Sequence, residues 1–516
     1  MRRKNENGIT LVALVITIVI LLVLAGISIS TLTNTGIFEK VKDAKKKSED
    51  AQKEQDEMLY KYEDELSKFT SDDRWDGKVN KPELMTGMTA IQFTEPTADT
   101  AGSVVKVSDS SKNDWYNYDA QKWANAQTED GSMWVWIPRY AYKVVYNDPN
   151  DKSKGGVFDI VFLIGTTDNY IDENGNIQTA QRQTSRDQVI ITDSTKTDKY
   201  TVHPAFTNES NIDYVNGGWK KELAGIWVAK FEAGYFDKET EKDKIKESSV
   251  KYSQSYGYTP NLKNEESRNY YDGIYGKKIT AIKYPTFQGQ RYSFNYINQS
   301  DAFSLSRVLT EEGNVYGLNK NSTDSHLMKN SEWGIVVYLS QSKYGVNNTR
   351  VRINNVNVRD NEKFVYSVTG YSAKDDGADW NDEDNSYKWT EINGAYASCT
   401  GTIYGIYDLV GGGYERIAAM INNKNDNINR YSKVIIDSLN NGKSTPYVTV
   451  YPTVEITGDF VGNVNSGNYK IDTRIYGDAI RETSTDGLGC TAWNSELSYF
   501  PGYNSPTFIR RRSIWW

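Results

Sequence analysis

Cysteine and histidine are nearly missing from this chain. Two cysteines in 516 residues exclude a disulfide framework and any cysteine-rich metal cluster. Two histidines exclude a multi-histidine zinc centre. An excess of positive charge is also lacking: the formal net charge is −8, which argues against broad nucleic-acid binding. What the chain has is length enough for two or three domains and a surplus of tyrosine, 37 residues against 15 Phe and 13 Trp. A Tyr-, Asn-, Gly- and Thr-rich sequence is poor helix material and suits strands, turns and contact surfaces.

The N-terminus departs from that pattern. Residues 1–8 read MRRKNENG, and an uncharged run follows directly from Ile9 to Ile29. As a helix, roughly 21 such residues reach about 31 Å, enough to cross a hydrocarbon core. A plain signal anchor is one reading. A basic leader that ends in Gly8, with the apolar run starting at Ile9, also resembles the class III signal of type IV prepilins and pseudopilins. That resemblance implies cleavage between Gly8 and Ile9 by a prepilin peptidase, methylation of the new terminus and other pilin-like subunits as partners. The family usually carries Glu five residues into the mature chain, where this sequence has Ala13. The expected organisation is a leader at 1–8, a transmembrane or pilin-like helix at 9–36 and an amphipathic helix at 37–69. Ile37, Val41, Ala44, Ala51, Met58, Tyr62, Leu66 and Phe69 fall near one face of that last helix, as in a pilin stalk or a solvated spacer. The C-terminal region is then expected outside the cytoplasm, at the cell surface.

Residues 70–130 read as a linker with short strands, and residues 131–516 as a β-rich domain. Met133–Tyr146 gives one continuous strand pattern, and residues 156–165 and 225–235 give two more. Residues 323–345 form the best helix pattern, with Met328, Trp333, Val336, Val337 and Leu339 apolar and Gly345 as a stop. A shorter helix is expected within 299–313.

Four blocks of this region, in order, resemble the formylglycine-generating-enzyme (sulfatase-modifying factor) family. MWVWIP carries Trp134, Trp136 and Pro138, and the SEW block carries Glu332 and Trp333. TGTIYGIYDLVGGGYE carries Gly405, Tyr407, Asp408, Gly411 and Glu415, and TFIRRRSIWW closes the chain. The resemblance implies an α+β, C-type-lectin-like fold with long loops. Two signature positions differ: Gly412-Gly413-Tyr414 stands for Asn-Val-Trp, and Arg510-Arg511-Arg512 for Arg-Gly-Gly.

The oxidase branch of that family binds copper through two closely spaced cysteines. Here Cys399 and Cys490 lie far apart and neither has a basic neighbour in sequence, so no enzyme activity is expected. Burial of both thiols and a single disulfide between them both stay open. His203 and His326 read as structural. Residues 441–445 lack the first glycine of a P-loop, since that position is Asp437. Asp478, Glu482 and Asp486 read as solvated acids, with calcium as the other reading; no cofactor is expected. The C-terminal segment gathers Trp493, Tyr499, Phe500, Tyr503, Phe508, Arg510, Trp515 and Trp516 among Asn, Ser and Gly, a mixture that suits binding of an extracellular glycan or protein. The function expected is that of an anchored, adhesin-like binding protein with a lectin-like head, and variable proteins of diversity-generating retroelements offer a parallel. The alternative is a minor or tip type IV pilin or pseudopilin subunit, and behind it an extracellular enzyme of the formylglycine-generating family, which the missing Cys pair disfavours.

Overall fold

The computed structural model describes residues 46–48, 50–51, 73–108, 110, 114–151, 154–182, 199–208, 218–235, 285–293, 299–360, 364–375, 385–413, 415–421, 426–439, 445–451, 477, 479–483, 498–499 and 507–510. The chain divides into two compact units, Met1–Ser71 and Asp72–Trp516. In the first, residues 46–48 and 50–51 are helical. The leader at 1–8, the hydrophobic segment at 9–36 and most of the 37–69 segment lie outside the described residues.

The second unit begins with β1 (Thr89–Phe93), β2 (Val104–Lys106), β3 (Asn125–Gln127), β4 (Met133–Pro138), β5 (Tyr140–Tyr146) and β6 (Gly156–Phe162). There follow β7 (Asn169–Ile171), β8 (Ile177–Thr179), β9 (Thr201–Val202), β10 (Gly225–Ala229), β11 (Gly234–Tyr235) and β12 (Tyr292–Ser293). Helices α1 (Gln299–Arg307) and α2 (Asn330–Ser340) come next, then β13 (Asn357–Asp360), β14 (Phe364–Ser367), β15 (Tyr371–Ala373), β16 (Ser386–Lys388) and β17 (Glu415–Ile421). The last elements are α3 (Asp426–Asp437), β18 (Thr449–Tyr451), α4 (Ala479–Glu482), β19 (Ser498–Tyr499) and β20 (Thr507–Arg510).

This is an α+β arrangement of short helices and sheets that are antiparallel except for the β17–β18 pair. It corrects the expectation of a long N-terminal hydrophobic helix in front of a lectin-like domain. No helix among the described residues is long and apolar enough to cross a membrane. The longest of them, α3, has 12 residues. At the helical rise that is about 18 Å, against a hydrocarbon core of about 30 Å. The membrane-anchored, cell-surface placement, with the membrane, the prepilin peptidase and other pilin-like subunits as partners, is corrected to that extent: no described helix supplies the anchor it needs.

Two sheets build the core. One has the order β10-β4-β3-β1-β2, so the strands of the segment read as a linker belong to the sheet of β4, with β3 pairing to it directly. The other has the order β6-β5-β9. The single strand expected over 133–146 is broken in two at Arg139. Pro138 has no N–H to continue a ladder, and the chain passes there from one sheet to the other. β6 shows why strands form: buried and half-buried residues alternate strictly along GVFDIVF, placing Phe158, Ile160 and Phe162 inward. Helix α2 has no polar face beyond its first turn, and all of its residues are buried, as a helix without a polar face must be. It is shorter than the pattern over 323–345 suggests. Glu332 starts it by accepting the Lys329 N–H at 2.7 Å, which excludes the preceding residues.

The buried charges beside these sheets are paired. The Arg139 guanidinium is fully buried and meets Asp168 and Glu222, each at 2.8 Å, and the Phe206 carbonyl at 2.9 Å. Arg182 closes the network against the same two carboxylates.

Candidate ligand-binding site

The block from Thr400 to Glu415 folds as a buried loop around two charged side chains. The Lys230 ammonium is wholly buried and donates to the carbonyls of Ile403 at 2.7 Å and Gly405 at 2.8 Å. Four rings surround it: Phe93 at 4.7 Å, Tyr407 at 5.3 Å, and Phe231 and Trp389 at 6.0 Å. Burial pushes its pKa well below the usual lysine value, and the nearby Cys399 opposes that shift. Asp408 has a left-handed backbone, φ 66°, a conformation that Asp tolerates better than most side chains. Its carboxylate accepts from Asn354 Nδ2 at 2.8 Å, the Gly370 N–H at 2.9 Å and the Glu232 N–H at 3.4 Å. Burial outweighs these bonds and raises its pKa to about 6. Gly411 passes against the Asn354 backbone, where a Cβ would overlap the carbonyl oxygen. Gly405 and Tyr407 thus close on Lys230, and Asp408 and Gly411 on Asn354.

The other motif residues sit in the same scaffold. Trp136 Nε1 donates to the Asn80 carbonyl at 3.0 Å, and the half-buried Trp134 donates to Thr128 Oγ1 at 3.1 Å. Pro138 and Trp333 are buried. Cys399 is a buried free thiol whose sulfur accepts the Ile406 N–H, and burial pushes its pKa up to about 12. Cys490 lies outside the described residues. His203 is fully buried and caps the turn at Pro204–Phe206 by accepting the Ala205 N–H; burial holds its pKa well below the usual value. Glu482 is buried and accepts from the Tyr142 and Tyr338 hydroxyls and from the Gly477 N–H. Its oxygens are turned to these donors. Asp478 and Asp486 lie outside the described residues, among which no His, Cys, Asp and Glu group could hold a metal ion.

The C-terminal blocks meet in one sheet of order β18-β17-β20-β19. Its register sets Arg510 between Glu415 and Ser498, and Ile509 between Arg416 and Tyr499. Of the residues expected to bind ligand, Tyr499, Phe508 and Arg510 therefore lie on neighbouring strands. Trp493, Phe500, Tyr503, Trp515 and Trp516 lie outside the described residues.

At the β18 side of this sheet is a cluster that sequence reading did not assemble, although it named His326 as structural and Glu332 as a motif residue. The Ala418 N–H of β17 donates to the Met328 carbonyl at 2.8 Å, which ties the loop before α2 to the sheet. That loop supplies Asp324 and His326. Arg307 comes from the end of α1, Glu332 and Lys329 from the start of α2, Tyr447 from the approach to β18 and Trp219 from the chain before β10. Arg307 donates to Asp324 at 2.5 Å and lies 4.1 Å over the Tyr447 ring. The Tyr447 hydroxyl also bonds Asp324. His326 packs between Trp219 and Tyr447, with ring centroids at 5.1 and 5.6 Å, and its Nε2 lies 3.1 Å from both Glu332 oxygens. Lys329 is 4.6 Å over the other ring, Trp219. Burial by itself would raise the pKa of Glu332, but His326 and Lys329 outweigh it and hold the carboxyl below its usual range. Arg307 and Asp324 form the rim, with side chains about two-fifths exposed. Chemically, this is a charged and aromatic surface with one cation, one carboxylate and a phenol facing outward.

No protein-family model matches the sequence. A comparison with curated proteins finds no match either.

Proposed function

We propose that the Asp72–Trp516 unit is a ligand-binding module that recognises a glycan or protein through the β18-β17-β20-β19 sheet and its margins. The observation that carries this reading is the half-exposed group of Arg307, Asp324 and Tyr447 at one margin of that sheet. Ion pairs and phenols at a rim give orientation and specificity, while the rings beneath them supply rigid contact area. The other margin carries Tyr499, Phe508 and Arg510 by strand order, the same kind of residues. The resemblance of four sequence blocks to the formylglycine-generating-enzyme family supports a lectin-like framework of this kind.

Binding is favoured over catalysis by the condition of the reactive groups. Cys399 is buried with a raised thiol pKa, Lys230 is committed to two carbonyls and His203 is enclosed by aromatic rings. None of these three reaches a surface where a substrate could meet it. The test is to screen the full-length chain on glycan and protein arrays beside Arg307→Ala and Tyr447→Ala. The expected result is selective binding that both variants weaken by roughly tenfold, as removal of a charge-assisted contact does. Array signals equal to those of the heat-denatured chain, or unaffected by both substitutions, would contradict the proposal.

A further inference from the structure

His326 stands between two carboxylates but is bonded to only one. Glu332 is ionised and can only accept, so the imidazole proton lies on Nε2. Nδ1 is buried and has no hydrogen-bond partner. It lies 3.9 Å from Asp324 Oδ1, so in the neutral ring a lone pair faces a carboxylate oxygen. Asp324 meanwhile accepts from Arg307 and from the Tyr447 hydroxyl. The remaining charged group against the ring is Lys329, on the Glu332 side, 3.6 Å from that carboxylate.

We propose that His326 is a proton-operated latch on this surface: protonation of Nδ1 draws Asp324 inward and frees the Arg307 guanidinium for an anionic group of the ligand. The sign follows from the geometry. A proton on Nδ1 turns the contact at 3.9 Å from repulsive to attractive, because an imidazolium then lies between two carboxylates. Arg307 Nη1 and His326 Nδ1 face the same oxygen, Asp324 Oδ1, so drawing that oxygen toward His326 takes it away from Arg307. Arg307 keeps its place through the Ser325 carbonyl at 3.1 Å and the Tyr447 ring, so it is released without being displaced. A freed guanidinium is suited to a carboxylate, sulfate or phosphate group. The inference rests on the reading of this face as a binding surface and adds the ligand class and its dependence on pH.

The chain has only two histidines, so selective 15N-histidine labelling of the full-length protein reads the latch directly. The expected spectrum shows the His326 ring taking up a proton on Nδ1 as pH falls, while the enclosed His203 signals stay constant. The neutral His326 form carries its proton on Nε2, and Asp324→Asn moves the titration to lower pH. Added inorganic sulfate is expected to shift the His326 signals at about pH 5.5 and not at about pH 8. Asp324→Asn should respond to sulfate at both pH values, and Arg307→Ala at neither. Unchanged His203 signals verify that the variants are folded. A neutral form protonated on Nδ1, a titration unmoved in Asp324→Asn, or a sulfate response equal at both pH values in the unmodified chain would overturn the latch. The titration needs no ligand, so it stands or falls separately from the array screen.

Discussion

Asp408 gives the sharpest energetic prediction, because its burial makes stability depend on pH in an unusual direction. Most carboxylates that fold into hydrogen-bonded sites have depressed pKa values, and their proteins lose stability on acidification. Asp408 rises from 3.8 to about 6. Between those values the folded chain binds more protons than the unfolded one, so this residue's contribution falls as pH rises through the window and is constant above it. The difference of roughly two pH units corresponds to about 3 kcal/mol. About 2 kcal/mol of this lies between about pH 4.5 and pH 7.5, since the unfolded group is already mostly ionised at the lower pH. Asp408→Asn removes the titration and keeps the shape. Its amide oxygen can accept from Asn354 and Gly370, while its NH2 meets the Glu232 N–H and loses that longer bond. Whatever the constant cost of that loss, the variant should gain about 2 kcal/mol relative to the unmodified chain as pH rises across this range. Denaturant unfolding of both proteins at three pH values measures it. A difference that does not vary with pH would refute the claim that burial governs this carboxyl.

Three further outcomes follow from the same interior. Arg139→Met leaves Asp168 and Glu222 with Arg182 as their remaining cation and should lower stability by about 3 kcal/mol, read by denaturant unfolding; a loss below about 1 kcal/mol would show that Arg182 suffices. Gly411→Ala forces a Cβ into the Asn354 carbonyl oxygen at φ 90° and should cost at least about 2 kcal/mol, measured as a lower thermal midpoint. Cys399 should resist maleimide in the native chain and react fully once unfolded; peptide mapping that finds it labelled under native conditions would contradict its burial.

Much of the local structure was legible in the sequence. The alternation of residues 156–162 marks β6, and the apolar pattern around Trp333 marks α2, because burial on one or all sides leaves a period in the residue order. The motif residues could be named from their blocks, but their job could not. Asp408 and Gly411 act through Asn354, Gly370 and Glu232, which are far away in sequence and carry no motif. The membrane-spanning expectation rested on an apolar run that lies outside the described residues, whose own helices do not exceed 12 residues.

Sequence alone determined the near absence of thiol and imidazole chemistry, the strand-rich character and the aromatic surplus, since these are matters of composition and period. Tertiary structure alone decided that β3 and β4 share a sheet with β1, that the chain changes sheets at Pro138 and Arg139, and that Arg307, Asp324, His326, Glu332 and Tyr447 meet. The reason is physical. Residues from α1, the start of α2 and the approach to β18 are brought together by hydrogen bonds and packing across the sheet, and no local pattern records which distant partner will satisfy a buried charge.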